Sequence, residues 1–281
     1  MTQNILFVGA GSMAEAIVKG LVSSGMVPAS DITMCNRGNE QRLEQLRETY
    51  GIGSGVFGTD HFHTKLQSAA VVVLAMKPKD AGEALKALSP HLHKKQLLVS
   101  VIAGLSISTI SELVGDDIPV IRTMPNTSST IGLGATGVAF SDKVSDAERD
   151  FCIQMFNATG ITVVVDEPLL DVVTGVSGSG PAYLYYMMEA MIRAGEQLGL
   201  SPEVARQLTV QTVVGAGEMV KQTGELPEAL RHKVTSPNGT TQAALETMAA
   251  HHFQPTVEAA VKRASERAGE LGQMISEMIN K

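Results

Sequence analysis

Asn4-Ile5-Leu6-Phe7-Val8-Gly9-Ala10-Gly11-Ser12-Met13-Ala14 is the stretch that decides the fold. Ile5–Val8 is apolar at every position, as a strand covered on both faces must be. A glycine turn follows, and helical spacing then runs over Met13–Ser24. Gly9 permits a tight turn, Gly11 has no Cβ to hold a ligand away from the backbone, and Ala14 lets the helix lie close to the strand. This is the GxGxxA form of the dinucleotide fingerprint, in its required context of strand, turn and helix. The helix start presents unpaired N–H groups and a positive dipole end to phosphates. Gly9, Ala10, Gly11, Ser12 and Met13 are therefore expected to hold a pyrophosphate.

Outward from this unit, short β-branched runs alternate with helical patterns. Strands are expected at Ile5–Val8, Ile32–Cys35, Val71–Ala75, Leu97–Val101, Val120–Arg122 and Thr162–Val165. Between them, Met13–Ser24, Glu40–Tyr50, Lys79–Leu88 and Ser106–Val114 read as helices. The alternation predicts an α/β fold with a Rossmann-type, doubly wound parallel sheet. After Asp166-Glu167-Pro168 the strand patterns vanish, and Tyr183–Leu198, Pro202–Lys221, Thr241–Ala250 and Thr256–Ile279 have helical spacing. The expected division is a dinucleotide-binding domain over 1–165 and an all-α domain over 166–281.

The second strand ends at Asn36-Arg37, where NAD-preferring proteins usually carry an acid for the ribose 2′-hydroxyl. An acid there would repel a 2′-phosphate, whereas Asn36 and Arg37 can hydrogen-bond it, with Arg42 as a second cation. NADPH is thus the expected cofactor, with NADH an alternative. Ala75-Met76-Lys77-Pro78 and Arg122-Thr123-Met124-Pro125-Asn126 follow further strands, at the sheet edge where ligands bind. This adds Ala75, Lys77, Pro78 and Asn126 to the cofactor candidates, with Lys77 and Asn126 as donors to its ribose or carboxamide.

The 281 residues carry a formal charge of −7, which argues against a nucleic-acid partner. No apolar run reaches the ~20 residues of a membrane span. The Met1–Asn4 start has no basic leader-like region, and Cys35 and Cys152 have neither metal nor redox spacing. A reduced, cytoplasmic protein is expected. The seven histidines include the pairs His61/His63 and His91/His93 and the adjacent His251-His252, none with metal-ligand spacing, so no metal site is expected.

Two glycine- and hydroxyl-rich segments interrupt the helical half, Ser177-Gly178-Ser179-Gly180-Pro181-Ala182-Tyr183 and Thr235-Ser236-Pro237-Asn238-Gly239-Thr240-Thr241. Each opens a helix and can present N–H groups to an anion. Together with the GAGSMA turn, Lys77-Pro78, the MPN of Met124–Asn126 and the stretch from Pro227 to Glu246, they resemble the pyrroline-5-carboxylate reductase family along essentially the whole chain. Asn238 stands where that family's signature has glycine; Asn tolerates positive φ, so the loop shape is expected to survive.

The resemblance implies that NAD(P)H reduces the cyclic imine pyrroline-5-carboxylate to L-proline, the last step of proline biosynthesis. It also implies that Ser177, Ser236, Gly239, Thr240 and Thr241 hold the small-molecule substrate. Thr241 matches the hydroxyl that contacts the ring nitrogen and is the catalytic candidate. Homodimers through the helical domain, and in some members decamers, are implied as well. Independently, reducing a protonated imine needs no strong general base, and the loops contain no His–Asp pair. The nearest enzymatic rival, a β-hydroxyacid dehydrogenase, needs a lysine early in its helical domain. No lysine occurs between Lys143 and Lys221. The apolar helix faces of the second half have little sheet to cover them, which also points to a second subunit.

Overall fold

A computed structural model describes residues 4–279; the leader-free reading of Met1–Gln3 lies outside the described residues. Eight strands form one sheet: β1 Ile5–Val8, β2 Ile32–Asn36, β3 Gly53–Val56, β4 Val71–Leu74, β5 Leu97–Ser100, β6 Val120–Met124, β7 Gly134–Phe140 and β8 Gly160–Val164. Their order is β3-β2-β1-β4-β5-β6-β7-β8. Every neighbouring pair is parallel except β6 and β7. The sequence reverses direction on either side of β1, so the Gly9 turn lies at the topological switch, where α/β sheets open a crevice for ligands.

The helices are α1 Ser12–Ser23, α2 Glu40–Tyr50, α3 Asp60–Ser68, α4 Ala81–Leu88, α5 Ile107–Val114, α6 Asp146–Asn157, α7 Leu170–Val173, α8 Gly180–Gln197, α9 Pro202–Thr223, α10 Pro227–Lys233, α11 Thr240–Ala250 and α12 Phe253–Ile279. The expected helices are present. Apolar spacing did not mark α3, α6, α7 or α10, nor the strands β3 and β7. Two of the missed helices have their own start signals: Thr59 caps α3, and Ser145 with Glu148 forms a capping box on α6.

The chain divides into two compact units. One runs through Ser179 and regains the chain from Lys262 onward; the other is Gly180–Val261. In the first, Ile17, Leu21, Phe156 and one set of strand side chains form a core on one side of the sheet. Phe62, Leu85, Ile110 and the alternate strand side chains form the other. The end of α12 joins that second core through Ile275 and Ile279. Lys86 Nζ donates to the Ile279 carbonyl at 3.0 Å. A Cβ on Gly272 would stand 2.8 Å from the Gly104 carbonyl oxygen, so only glycine permits that contact.

The second unit is built differently. Helices α8, α10 and α11 have no buried residue, and α9 buries only Ala205 and Thr209. Tyr186 is 76% exposed and Leu198 89%, with Leu208, Val214 and Met219 also largely uncovered. No helix among the described residues is long and apolar enough to cross a membrane.

Candidate functional site

The Gly9 turn is held open by its backbone. Gly9 has φ +122, a conformation that L side chains rarely adopt, and its N–H donates to the Cys35 carbonyl at 2.8 Å. A Cβ there would run into the Ala75 carbonyl. Gly11, the N-cap of α1, has an ordinary extended conformation, φ −81 and ψ 179, and nothing lies within 4 Å of the position a Cβ would take. No side chain caps α1. The open space above Gly11 and the bare helix start are the features that a pyrophosphate requires.

The turn floors a cleft of about 460 Å³ bounded by the ends of β1, β2 and β4. Gly9, Ala10, Gly11, Asn36, Arg37, Ala75 and Lys77 line it together, as does Arg42. Ser12 opens α1, Met13 follows it within the helix, and Pro78 begins the 3₁₀ turn after Lys77. The structure adds Phe57, Met76, Lys79 and Asp80, which sequence reasoning missed. Phe57 follows the unmarked β3. Lys79 and Asp80 immediately follow Lys77-Pro78, so extending that segment would have found them.

The two residues at the end of β2 do different work. The Asn36 carboxamide is taken up by its own loop: Oδ1 accepts from the N–H groups of Gly38 and Asn39, both at 2.9 Å, and Nδ2 donates to the Asn39 carbonyl at 2.8 Å. It shapes the turn that carries Arg37. Arg37 itself is exposed and faces Asp80. Cys35 is buried on the cleft wall, and burial pushes its thiol up to about 12, so it is no nucleophile at neutral pH.

Asn126 and Ser177 meet each other. Asn126 Nδ2 donates to the Ser177 carbonyl at 3.0 Å, while its Oδ1 accepts from Ala135 N–H at 3.2 Å. The carboxamide therefore ties the turn after β6 to β7 and to the helical segment beyond. Ser177 lies in a π-helical turn, Thr174–Gly178, that continues α7, and its hydroxyl donates back to the Val173 carbonyl at 3.1 Å. A π turn at this place is a common mark of a functional segment.

Ser236, Gly239, Thr240 and Thr241 belong to the other compact unit and form the start of α11. Gly239 is its N-cap and donates its N–H to the Ser236 carbonyl at 3.0 Å. A Cβ on Gly239 would crowd the Ser236 hydroxyl, which would have to turn aside, and would stand 3.1 Å from the Ser236 carbonyl oxygen. Asn238 takes φ +59, as the sequence requires of the residue replacing glycine, and its N–H donates to Gln242 Oε1 at 2.8 Å. No side chain caps α11. The N–H groups of Thr240, Thr241 and Gln242 thus leave the helix end without intrahelical acceptors, as an anion-binding helix start does. Among the described residues, no group of three His, Cys, Asp or Glu side chains is placed to hold a metal ion.

Comparison with known proteins bears on both halves. Residues 167–271 match the family model described as pyrroline-5-carboxylate reductase dimerisation, and residues 4–104 match that of the coenzyme F420-dependent NADP oxidoreductases. The pyrroline-5-carboxylate reductase of Pseudomonas aeruginosa is 40% identical, with 98% of this chain and 99% of that protein aligned. The structure of a pyrroline-5-carboxylate reductase from Coxiella burnetii superposes with a TM-score of 0.89 at 34% identity, covering 96% of this chain and 99% of that one. A Plasmodium falciparum pyrroline carboxylate reductase with NADP bound gives a TM-score of 0.85 at 28% identity, covering 96% and 98%.

Proposed function

The chain belongs to the pyrroline-5-carboxylate reductase family, and from this we infer its function: it reduces L-1-pyrroline-5-carboxylate to L-proline, the last step of proline biosynthesis. NADPH is the hydride donor, with NADH as an alternative. The single structural observation that carries the substrate reading is the bare start of α11, whose free N–H groups and flanking hydroxyls suit a carboxylate.

When bound, NADPH supplies the hydride that adds to the C=N carbon. The chain's own residues bind, orient and donate protons. Gly9, Ala10, Gly11, Ser12 and Met13 would receive the pyrophosphate; Arg37 would receive the 2′-phosphate, and Lys77, with Ala75 and Pro78 shaping the wall, would fix the ribose. Asn36 and Asn126 support these groups through the loop bonds described above. Ser236, Gly239 and Thr240 would hold the substrate carboxylate, and Ser177 is a separate candidate for binding the substrate. The Thr241 hydroxyl would contact the ring nitrogen and help deliver the proton that turns imine into amine. Such oriented donors act by positioning and by stabilising charge.

Residues 1–165 would then serve as the dinucleotide-binding domain and 166–281 as the substrate-binding and dimerisation domain. The test is Thr241→Ala. It should lower kcat/KM for pyrroline-5-carboxylate at least about tenfold, or ~1.4 kcal/mol, with NADPH binding retained. Unchanged turnover removes Thr241 from the mechanism, and absence of NADPH oxidation with this imine in the parent enzyme removes the function itself.

The exposed apolar faces of α8 and α9 support a homodimer formed through the helical half. Light scattering behind size-exclusion chromatography should show a dimer or a multiple of it, a decamer included. A stable monomer at micromolar concentration would contradict this. A cytoplasmic location agrees with the two free thiols, Cys35 and Cys152, and recovery outside the cytosolic fraction would refute it.

A further inference from the structure

The basic side chains lining the cofactor cleft are Arg37, Arg42, Lys77 and Lys79, and carboxylates already hold both arginines. Arg42 pairs with Glu15 of α1, and it also donates to the Ala10 carbonyl at 3.3 Å and to Gln45 at 3.1 Å. It is committed to the wall of the cleft. Arg37 is held differently. Its Nη1 stands 3.1 Å from Asp80 Oδ1 and its Nη2 3.5 Å from Glu83 Oε2. Arg37 follows β2 and Asp80 follows β4, and β1 with its glycine turn lies between those strands. The ion pair therefore spans the mouth of the cleft.

We propose that Asp80, seconded by Glu83, is the residue that sets the balance between NADH and NADPH. The proposal rests on the reading that Arg37 receives the 2′-phosphate. A phosphate can reach that guanidinium only by displacing or approaching the carboxylates that hold it, and both are like-charged to it. A ribose 2′-hydroxyl meets no such competition and finds in Asp80 an acceptor. NAD-preferring folds place that acceptor at the end of their second strand. Here the end of β2 carries no acid, and the turn after β4 brings one to the guanidinium of Arg37, the residue that follows β2. The enzyme thus keeps an acid for NADH and a cation for NADPH, each partly offsetting the other. Asp80 has 26% of its side chain exposed and Glu83 87%, so Asp80 feels less solvent screening and has the larger share.

The experiment measures dissociation constants of NADPH and NADH by nucleotide fluorescence titration on the full chain. It compares the parent with Asp80→Asn, Glu83→Gln and Arg37→Ala. Asp80→Asn is near-isosteric and sits on an exposed turn, so folding should persist, and a melting curve checks it. The expected result is an NADPH constant lowered about three- to tenfold in Asp80→Asn, as loss of a partly screened like charge allows. The NADH constant should stay level or rise, and Glu83→Gln should show the same trend more weakly. An unchanged NADPH:NADH ratio in Asp80→Asn, or an equal weakening of both cofactors, overturns the proposal. The arginine variant separates the two levels. If Arg37→Ala abolishes the preference for NADPH while Asp80→Asn leaves the ratio alone, Arg37 stands and Asp80 falls. If Arg37→Ala leaves the ratio alone, the 2′-phosphate assignment fails and takes the proposal with it.

Discussion

Gly11→Ala should raise the dissociation constant for NADPH about a hundredfold, or ~2.7 kcal/mol, while the protein melts within a few degrees of the parent. Gly11 already has dihedrals that alanine adopts, and no protein atom within 4 Å meets the added methyl. The fold thus has little reason to object; replacing glycine at a helix N-cap costs under about 1 kcal/mol. The methyl does occupy the space over the bare start of α1, where the pyrophosphate must come close. Gly9→Ala should fail in the opposite way. Its φ of +122 is strained for alanine, and the methyl is driven against the Ala75 carbonyl and to 2.9 Å from the Met76 nitrogen. Relief requires β1 and β4 to part in the middle of the sheet, so a loss of ~2–4 kcal/mol in stability should accompany the loss of binding. Calorimetric melting and cofactor titration on both variants check this. A Gly11→Ala protein that binds NADPH like the parent would refute the placement of the pyrophosphate.

Arg122→Met is expected to destabilise the sheet-bearing unit by ~2–3 kcal/mol, although Arg122 does not line the cleft at the Gly9 turn. Arg122 is 8% exposed on β6 and bridges Glu167 at 3.3 Å and Asp171 at 2.9 Å. The same Glu167 oxygen accepts the N–H of Ile107, the first residue of α5, at 2.7 Å. One cation thereby fastens the segment leading into the helical half onto the sheet and onto a helix start. Its removal leaves two part-buried carboxylates facing an apolar side chain. Their 29% exposure places the cost toward the low end for a broken buried pair. Denaturation midpoints measure it, and the triple variant Arg122→Met, Glu167→Gln, Asp171→Asn should recover most of the loss. No recovery would mean that packing, and not the stranded charges, carries the effect.

The glycine turn and the cations at the ends of β2 and β4 were legible in the sequence because each sits within a few residues of a strong strand. Asn36 and Asn126 were legible as positions but not as roles. A carboxamide can face a ligand or brace a loop, and only the partners Gly38, Asn39, Ser177 and Ala135 show which. Ser177 is similar: the glycine- and hydroxyl-rich segment does open a helix, α8 at Gly180, but Ser177 itself lies in the π turn that continues α7.

The strands that sequence reasoning missed have one physical cause. Gly137 of β7 takes Val173 against its bare Cα, where a Cβ would stand 2.8 Å from the Val173 side chain. Gly53 and Gly55 of β3 are likewise narrowed by Thr33 and His61. Close approach calls for glycine and alanine, and those residues erase the β-branched signal by which strands are recognised. Local pattern alone determined the strand–turn–helix unit, the alternation that builds the sheet, and the change to helices after Pro168. These depend on periodicity and backbone sterics, which act over a few residues. Tertiary structure alone decided three things: the reversal of β7, the return of the end of α12 to the sheet through Gly104 and Gly272, and the meeting of Arg37 with Asp80. Each joins residues far apart in the chain, and their pairing follows from how whole elements pack.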